Sequence, residues 1–193
     1  MYFINKTFII EKSTTSKVLK ILFSLIFLTL TSKIKIFLPF SPVPITGQTF
    51  GLFLISLLFG KEAVISVFLY VMLGVFGIPL FATNPTFSIF SPTYGYIIGF
   101  FISSFLIVNL KESFNKNLIL LLIFCNFLIY VTGTLYLFTF FSFVLHKNVN
   151  LIKILYMGVF PFLPGDLLKD FLVVYFLKIQ KKVGWRDNAG YKS

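Results

Sequence analysis

Long, almost unbroken apolar stretches alternate with short polar or proline-containing connections along nearly the whole chain. A helix needs ~20 mostly apolar residues to cross a bilayer, within a range of about 17–25. By that measure a first span covers 18–37, with an uninterrupted centre at 21–31. A second, at about 49–59, is short, and is either tilted or continued by the loop before it. Further spans follow at 63–78, 93–110, 118–143 and 165–179. The pattern predicts an all-α integral membrane protein, a single domain over 1–193 with six transmembrane helices.

Composition narrows the class. The 193 residues are 58% hydrophobic and 12% charged, where a soluble domain carries about 25% charged residues. A chain this long buries only ~70% of its surface in water, too little to hide so many apolar groups. A soluble globular enzyme, a disordered tail and a secreted disulfide scaffold are thereby excluded. The one cysteine, Cys125, lies inside an apolar run, so there is no internal disulfide. Residues 1–12 hold a short apolar patch interrupted by Glu11 and no cleavage site of small residues, so a signal peptide is not expected.

The net charge of +11 would suggest nucleic acid in a soluble protein. Here the basic residues flank the apolar spans, which assigns them to lipid headgroups and topology rather than to nucleic acid. Lysine and arginine concentrate on the cytoplasmic side. With the N-terminus inside, the inner segments hold twelve basic residues and the outer loops four, Lys33, Lys35, Lys147 and Lys153; the remaining one, Lys169, falls within the last span. The bias places both termini in the cytoplasm, with the chain in the cell membrane as a multi-pass protein. All eight prolines fall in the three outer connections. Proline stops helices, and irregular backbone near a membrane must be buried in protein or line a cavity. The outer end is where a site is expected.

Three outer segments carry candidate chemistry. In 160–170, Asp166 and Lys169 are three apart and share one helical face. Charge within a span is expensive and usually faces a partner or a cavity; the plain alternative is a helix-end ion pair with Lys169 reaching outward. In 79–96, Asn84, Thr93 and Tyr96 offer amide, hydroxyl and phenol beside apolar spans, as a small-ligand pocket requires. Turn-satisfying roles for Asn and Thr, and a packing role for Tyr96, stand beside that reading. In 42–49, Thr46 and Gln48 enter the short second span and can point toward the bundle centre, or the segment can equally be a turn that closes the bundle surface. Gly74 with Gly77, and Gly95 with Gly99, suit close helix packing. No P-loop, H-E-x-x-H, Cys pair or G-x-S-x-G occurs, and His146 is a lone loop histidine. No metal, cofactor or ATP site is therefore expected. Asp166 and Asp170, with Lys169 between them, support a catalytic carboxylate pair only weakly.

Taken together, four segments resemble one family. These are 41–49 (SPVPITGQT), 73–82 (LGVFGIPLFA), 91–100 (SPTYGYIIGF) and 162–169 (FLPGDLLK). In register and in order, they resemble the BioY family, the biotin-specific S components of energy-coupling-factor (ECF) transporters. The resemblance extends over about 18–182. It implies a six-helix protein, not an enzyme, that captures biotin on the outer side. It also implies partners: a transmembrane T protein, two ATPase subunits and the surrounding lipid. Asp166 is implied to accept the N–H groups of biotin's ureido ring, with Lys169 orienting it or donating to the ligand. Asn84 is the nearest match to the family's outer-loop asparagine, and Thr93, Tyr96 and Gln48 complete the candidate binding set. Many relatives carry an arginine near the fourth span that this chain lacks, so its part toward the ligand's carboxylate falls to Tyr96, Thr93 or backbone amides. The family's first span carries small residues spaced for the T protein; here Ser24, Thr29 and Ser32 occupy that span. An S component for thiamine or riboflavin, and an intramembrane enzyme using Asp166 and Asp170, are the alternatives.

Overall fold

The computed structural model describes residues 14–83, 91–114 and 117–189, with side chains as far as 180. In chain order these residues form α1 (Thr14–Lys33), β1 (Lys35–Leu38), β2 (Ser41–Thr46), α2 (Gln48–Phe59) and α3 (Lys61–Val75). Then come α4 (Tyr94–Leu110), α5 (Leu118–Thr139), α6 (Leu151–Gly158) and α7 (Leu163–Ala189). Phe140–Val144 prolongs α5 as a π-helical turn.

Two expectations are corrected here. The first helix ends at Lys33, not at residue 37, and the chain then forms an antiparallel hairpin with Lys35 opposite Thr46 and Ile36 opposite Ile45. Ile and Phe serve strands as readily as helices, while Pro39 lies too close to let the helix continue. Pro42 and Pro44 give β2 no N–H to donate; such residues are found on edge strands, and β2 pairs with β1 alone among the described strands. The connection before the last span also contains a helix, α6. Asn150 caps it, its Oδ1 accepting from the Lys153 N–H at 2.9 Å. α6 meets α7 at a 42° bend, where Pro161 interrupts the chain.

Glycine governs how closely the helices approach. A Cβ at Gly95 would lie 2.3 Å from Tyr136 Cβ and 2.5 Å from the Thr132 carbonyl oxygen, and one at Gly99 would lie 2.9 Å from Ile129 Cα. The close-packing role expected for these two glycines is what joins α4 to α5. Gly47 and Gly51 repeat the spacing against Thr31 of α1, seating α2 beside α1. Between α2 and α4, Ser56 and Ser104 hydroxyls bond at 2.9 Å.

Among the described residues, α1 and the prolonged α5 are each long and apolar enough to cross a membrane. The bent α6–α7 pair passes when taken together, while α2 and α4 are shorter apolar helices. Large side chains cover the outside: Leu19, Ile26 and Leu30 of α1, Phe127 of α5, and Leu168 and Phe171 of α7 are each about 60% exposed. So extensive an apolar surface suits lipid rather than water.

Candidate functional site

The hairpin, the connection after α3, the start of α4 and the start of α7 meet at one end of the bundle. Hydrogen bonds hold the hairpin there: Ser41 Oγ donates to the Met157 carbonyl of α6 at 2.7 Å, and Lys169 Nζ of α7 to the Thr46 carbonyl at 2.7 Å. Beneath this meeting point lies a cavity between β2, α2, α4, α5 and α7. The space between these elements that no atom fills, open mouth included, is about 520 Å³. Val43, Ile97, Phe100, Ile129 and Phe162 supply its apolar walls.

Its polar centre is built on the first turn of α7. Asp166 lies at that turn, 5% exposed, and Lys169 comes one turn later. Lys169 Nζ contacts Asp166 Oδ1 at 2.8 Å. Thr49 Oγ1, from the first turn of α2, donates to the same oxygen at 2.9 Å. Tyr130 Oη, from the middle of α5, donates to Asp166 Oδ2 at 2.5 Å. Lys169 Nζ further donates to Thr49 Oγ1 at 3.2 Å, so the ammonium faces the cavity rather than reaching outward. A buried ion pair is stable only when its remaining valences are met, and three elements supply the partners here. A carboxylate has about four acceptor positions. Three are occupied, which leaves one open on Oδ2.

The other candidate residues are placed as follows. Gln48 lines the cavity, its Oε1 accepting from Thr46 Oγ1 at 3.0 Å and its Nε2 donating to Tyr70 Oη at 2.7 Å. One N–H of that amide is left without a bond in this network. Tyr96 gives its ring to the wall and its hydroxyl to the Gly158 carbonyl at 2.8 Å. Thr93 also lines the cavity, its hydroxyl 2.8 Å from Ser91 Oγ and 3.3 Å from Thr83 Oγ1. Asn84 lies outside the described residues. Sequence reasoning missed Thr49 and Tyr130, both in contact with Asp166; a phenol at the middle of a mostly apolar span was the available signal for Tyr130.

Four consecutive carbonyls after α3 are held by side chains from elsewhere. Lys33 Nζ donates to Pro79 and Phe81, at 2.7 and 2.9 Å. Ser32 Oγ donates to Leu80 at 2.7 Å, and Lys35 Nζ to Ala82 at 2.7 Å. Ala82 is itself a wall residue. The end of α1 and β1 thus fix one rim of the cavity.

Asp170, the second carboxylate of the enzymatic alternative, is absent from the wall of this cavity. It is fully buried against α5, where Asn126 Nδ2 donates to its Oδ2 at 2.9 Å.

Comparison with known proteins bears on this arrangement. The sequence model of the BioY family matches residues 6–184. The biotin transporter BioY of Thermotoga maritima is 39% identical over 83 residues, 40% of this chain and 49% of that protein, so the chain spans about half the length of that relative. The probable biotin transporter BioY of Pyrococcus horikoshii is 35% identical over 133 residues, 66% of this chain and 74% of that protein. The crystal structure of an S-component for biotin from an ECF-type ABC transporter superposes with a TM-score of 0.71 at 26% identity, covering 88% of this chain and 94% of the other.

Proposed function

The chain belongs to the BioY family, and on that premise we propose that it is the biotin-capturing S component of an ECF-type importer, with biotin in the Asp166–Lys169 cavity. It is not an enzyme. It lies in the cell membrane as six spans with both termini cytoplasmic, the bent α6–α7 pair counting as one. A T protein and two ATPase subunits supply the energy for import.

The observation that carries this reading is the bonded Asp166–Lys169 pair in a largely apolar cavity with a few polar side chains beside it. Biotin presents two ureido N–H groups and one carbonyl on an apolar bicycle. The open position on Asp166 Oδ2 accepts one N–H, and the second N–H of Gln48 Nε2 suits the carbonyl. Hydrogen bonds to charged groups are worth about 1.5–3 kcal/mol each; with burial of the bicycle, two or three bring nanomolar affinity, about −12 kcal/mol, within reach. Titration calorimetry on the purified protein tests the assignment. Nanomolar binding of biotin, with no heat from thiamine or riboflavin, is expected; binding of either of those vitamins in biotin's place would refute it.

Tyr96 donates its hydroxyl to the Gly158 carbonyl and Thr93 belongs to a hydroxyl cluster with Ser91 and Thr83, so a cation at the rim would add to the hold on the ligand's carboxylate. Lys35 is the rim cation best suited to it. It stands opposite Thr46 in the hairpin, its Nζ rests on the carbonyl of Ala82, and two of its three N–H groups make no bond in that network. Exposed charge pairs contribute up to ~1 kcal/mol. Lys35→Ala is therefore expected to weaken biotin about fivefold and to leave biotin methyl ester unchanged, as read by competition titration. An equal loss for both ligands would assign Lys35 to holding the loop alone.

A further inference from the structure

One helical turn beyond Asp166 and next to Lys169 in the chain, Asp170 meets Asn126 of α5, and one oxygen of each, Asp170 Oδ1 and Asn126 Oδ1, is buried without a hydrogen-bond partner. Asp170 is completely covered and Asn126 is 5% exposed. The two residues already meet through their other atoms, Asn126 Nδ2 donating to Asp170 Oδ2 at 2.9 Å. Turning the amide over would set its oxygen against the carboxylate and remove the one bond present. Left bare, each oxygen forfeits a hydrogen bond that water would have supplied, and an unpaired carboxylate inside an apolar span is costlier still.

Charge makes the same demand. α7 brings two carboxyl groups into the bundle but only one ammonium near them. Lys169 Nζ directs its bonds to Thr46, Thr49 and Asp166, none of them to Asp170. The ionisable groups that act on Asp170 are Asp166 and Lys169 on its own helix and Tyr130 and Cys125 on α5. None of these supplies a second positive charge.

The size of what is missing follows from the packing. Asn126 and Asp170 border a second, largely apolar cavity between α5, α6 and α7, but neither unpartnered oxygen is open to a water-sized molecule, so water, ammonium or a metal ion in that cavity would not touch either oxygen. Among the described residues, no group of three His, Cys, Asp or Glu gathers to hold a metal. A proton needs no space, and a single one gives both oxygens a partner. We propose that Asp170 and Asn126 form a proton-binding site, in which a proton taken from solvent is bonded to Asp170 Oδ1 and donated to Asn126 Oδ1. The carboxylate's negative charge is neutralised as the O–H bond forms. Acid and amide are then joined by two hydrogen bonds as a neutral pair, and Asp166 remains the anionic carboxyl that faces the cavity.

Infrared spectroscopy of the full chain in lipid bilayers at neutral pH, without ligand, reads this site directly and does not depend on what the cavity binds. The wild type and Asp166→Asn are expected to show the C=O absorption of a protonated, hydrogen-bonded carboxyl, and Asp170→Asn is expected to lack it. A wild type without that band, or a band that survives in Asp170→Asn, would overturn the proposal. If Asp170→Asn does not fold, Asn126→Leu decides: loss of the acceptor shifts the band to higher frequency, and an unmoved band refutes the pairing.

Discussion

Replacing Asp166 by alanine is expected to weaken biotin binding by at least 100-fold, the largest loss of any single change at the cavity. The substitution removes the acceptor proposed for the ureido ring and strands Lys169 next to apolar walls. Breaking a buried pair by removing one partner costs about 3–5 kcal/mol, and 100-fold in affinity corresponds to about 2.7 kcal/mol. Asp166→Asn keeps the shape and one carbonyl acceptor, so its loss is smaller, on the order of tenfold. Calorimetric titration of both variants checks the order. Equal, wild-type affinities would mean that biotin binds elsewhere on the protein.

Gly95→Val is expected to have the largest effect on folding. Its side chain would have to occupy space already held by Tyr136 Cβ and the Thr132 carbonyl. Overpacking typically costs about 1–3 kcal/mol, and here part of the obstacle is backbone, which cannot turn aside. Pushing α4 from α5 also separates the walls carried by Ile97 and Phe100 from those carried by Ile129 and Tyr130. Thermal unfolding in detergent should show a clear drop, with loss of biotin binding. Gly165→Ala is the matched control. Nothing lies within 4 Å of a Cβ there, and Ala exceeds Gly in helix propensity by up to ~1 kcal/mol, so its melting temperature should be unchanged or higher.

The charged centre of the site is legible in the sequence because a carboxylate and an ammonium three residues apart inside an apolar span are rare, and their cost demands a reason. Gln48, Thr93 and Tyr96 are legible for a related reason, as polar groups at the entrances of spans. Thr49 and Tyr130 are not. Their part depends on which side of α2 and α5 turns inward, and a helix whose surroundings are apolar both inside and out carries little amphipathic signal. Tyr130 is further hidden in a chain with 28 phenylalanines and nine tyrosines. The hairpin is obscured by a different ambiguity: Ile34, Ile36 and Phe37 carry the apolar count of the first span across Lys33 and Lys35, so a span judged by length runs on into the short strand. The alternation of lysine and isoleucine and the prolines that follow mark the change. α6 is hidden because eight residues that include Lys153 fall far below the length of a span.

The bond from Lys169 to the Thr46 carbonyl joins residues 123 apart in the chain, and Thr46 is followed directly by Gly47, which packs on the backbone of Thr31. One ammonium thus clamps the final helix to the hairpin and, through it, to the first helix. A guest that drew this ammonium toward itself would slacken the clamp. The first and last helices would then be tied less firmly to one another through the hairpin.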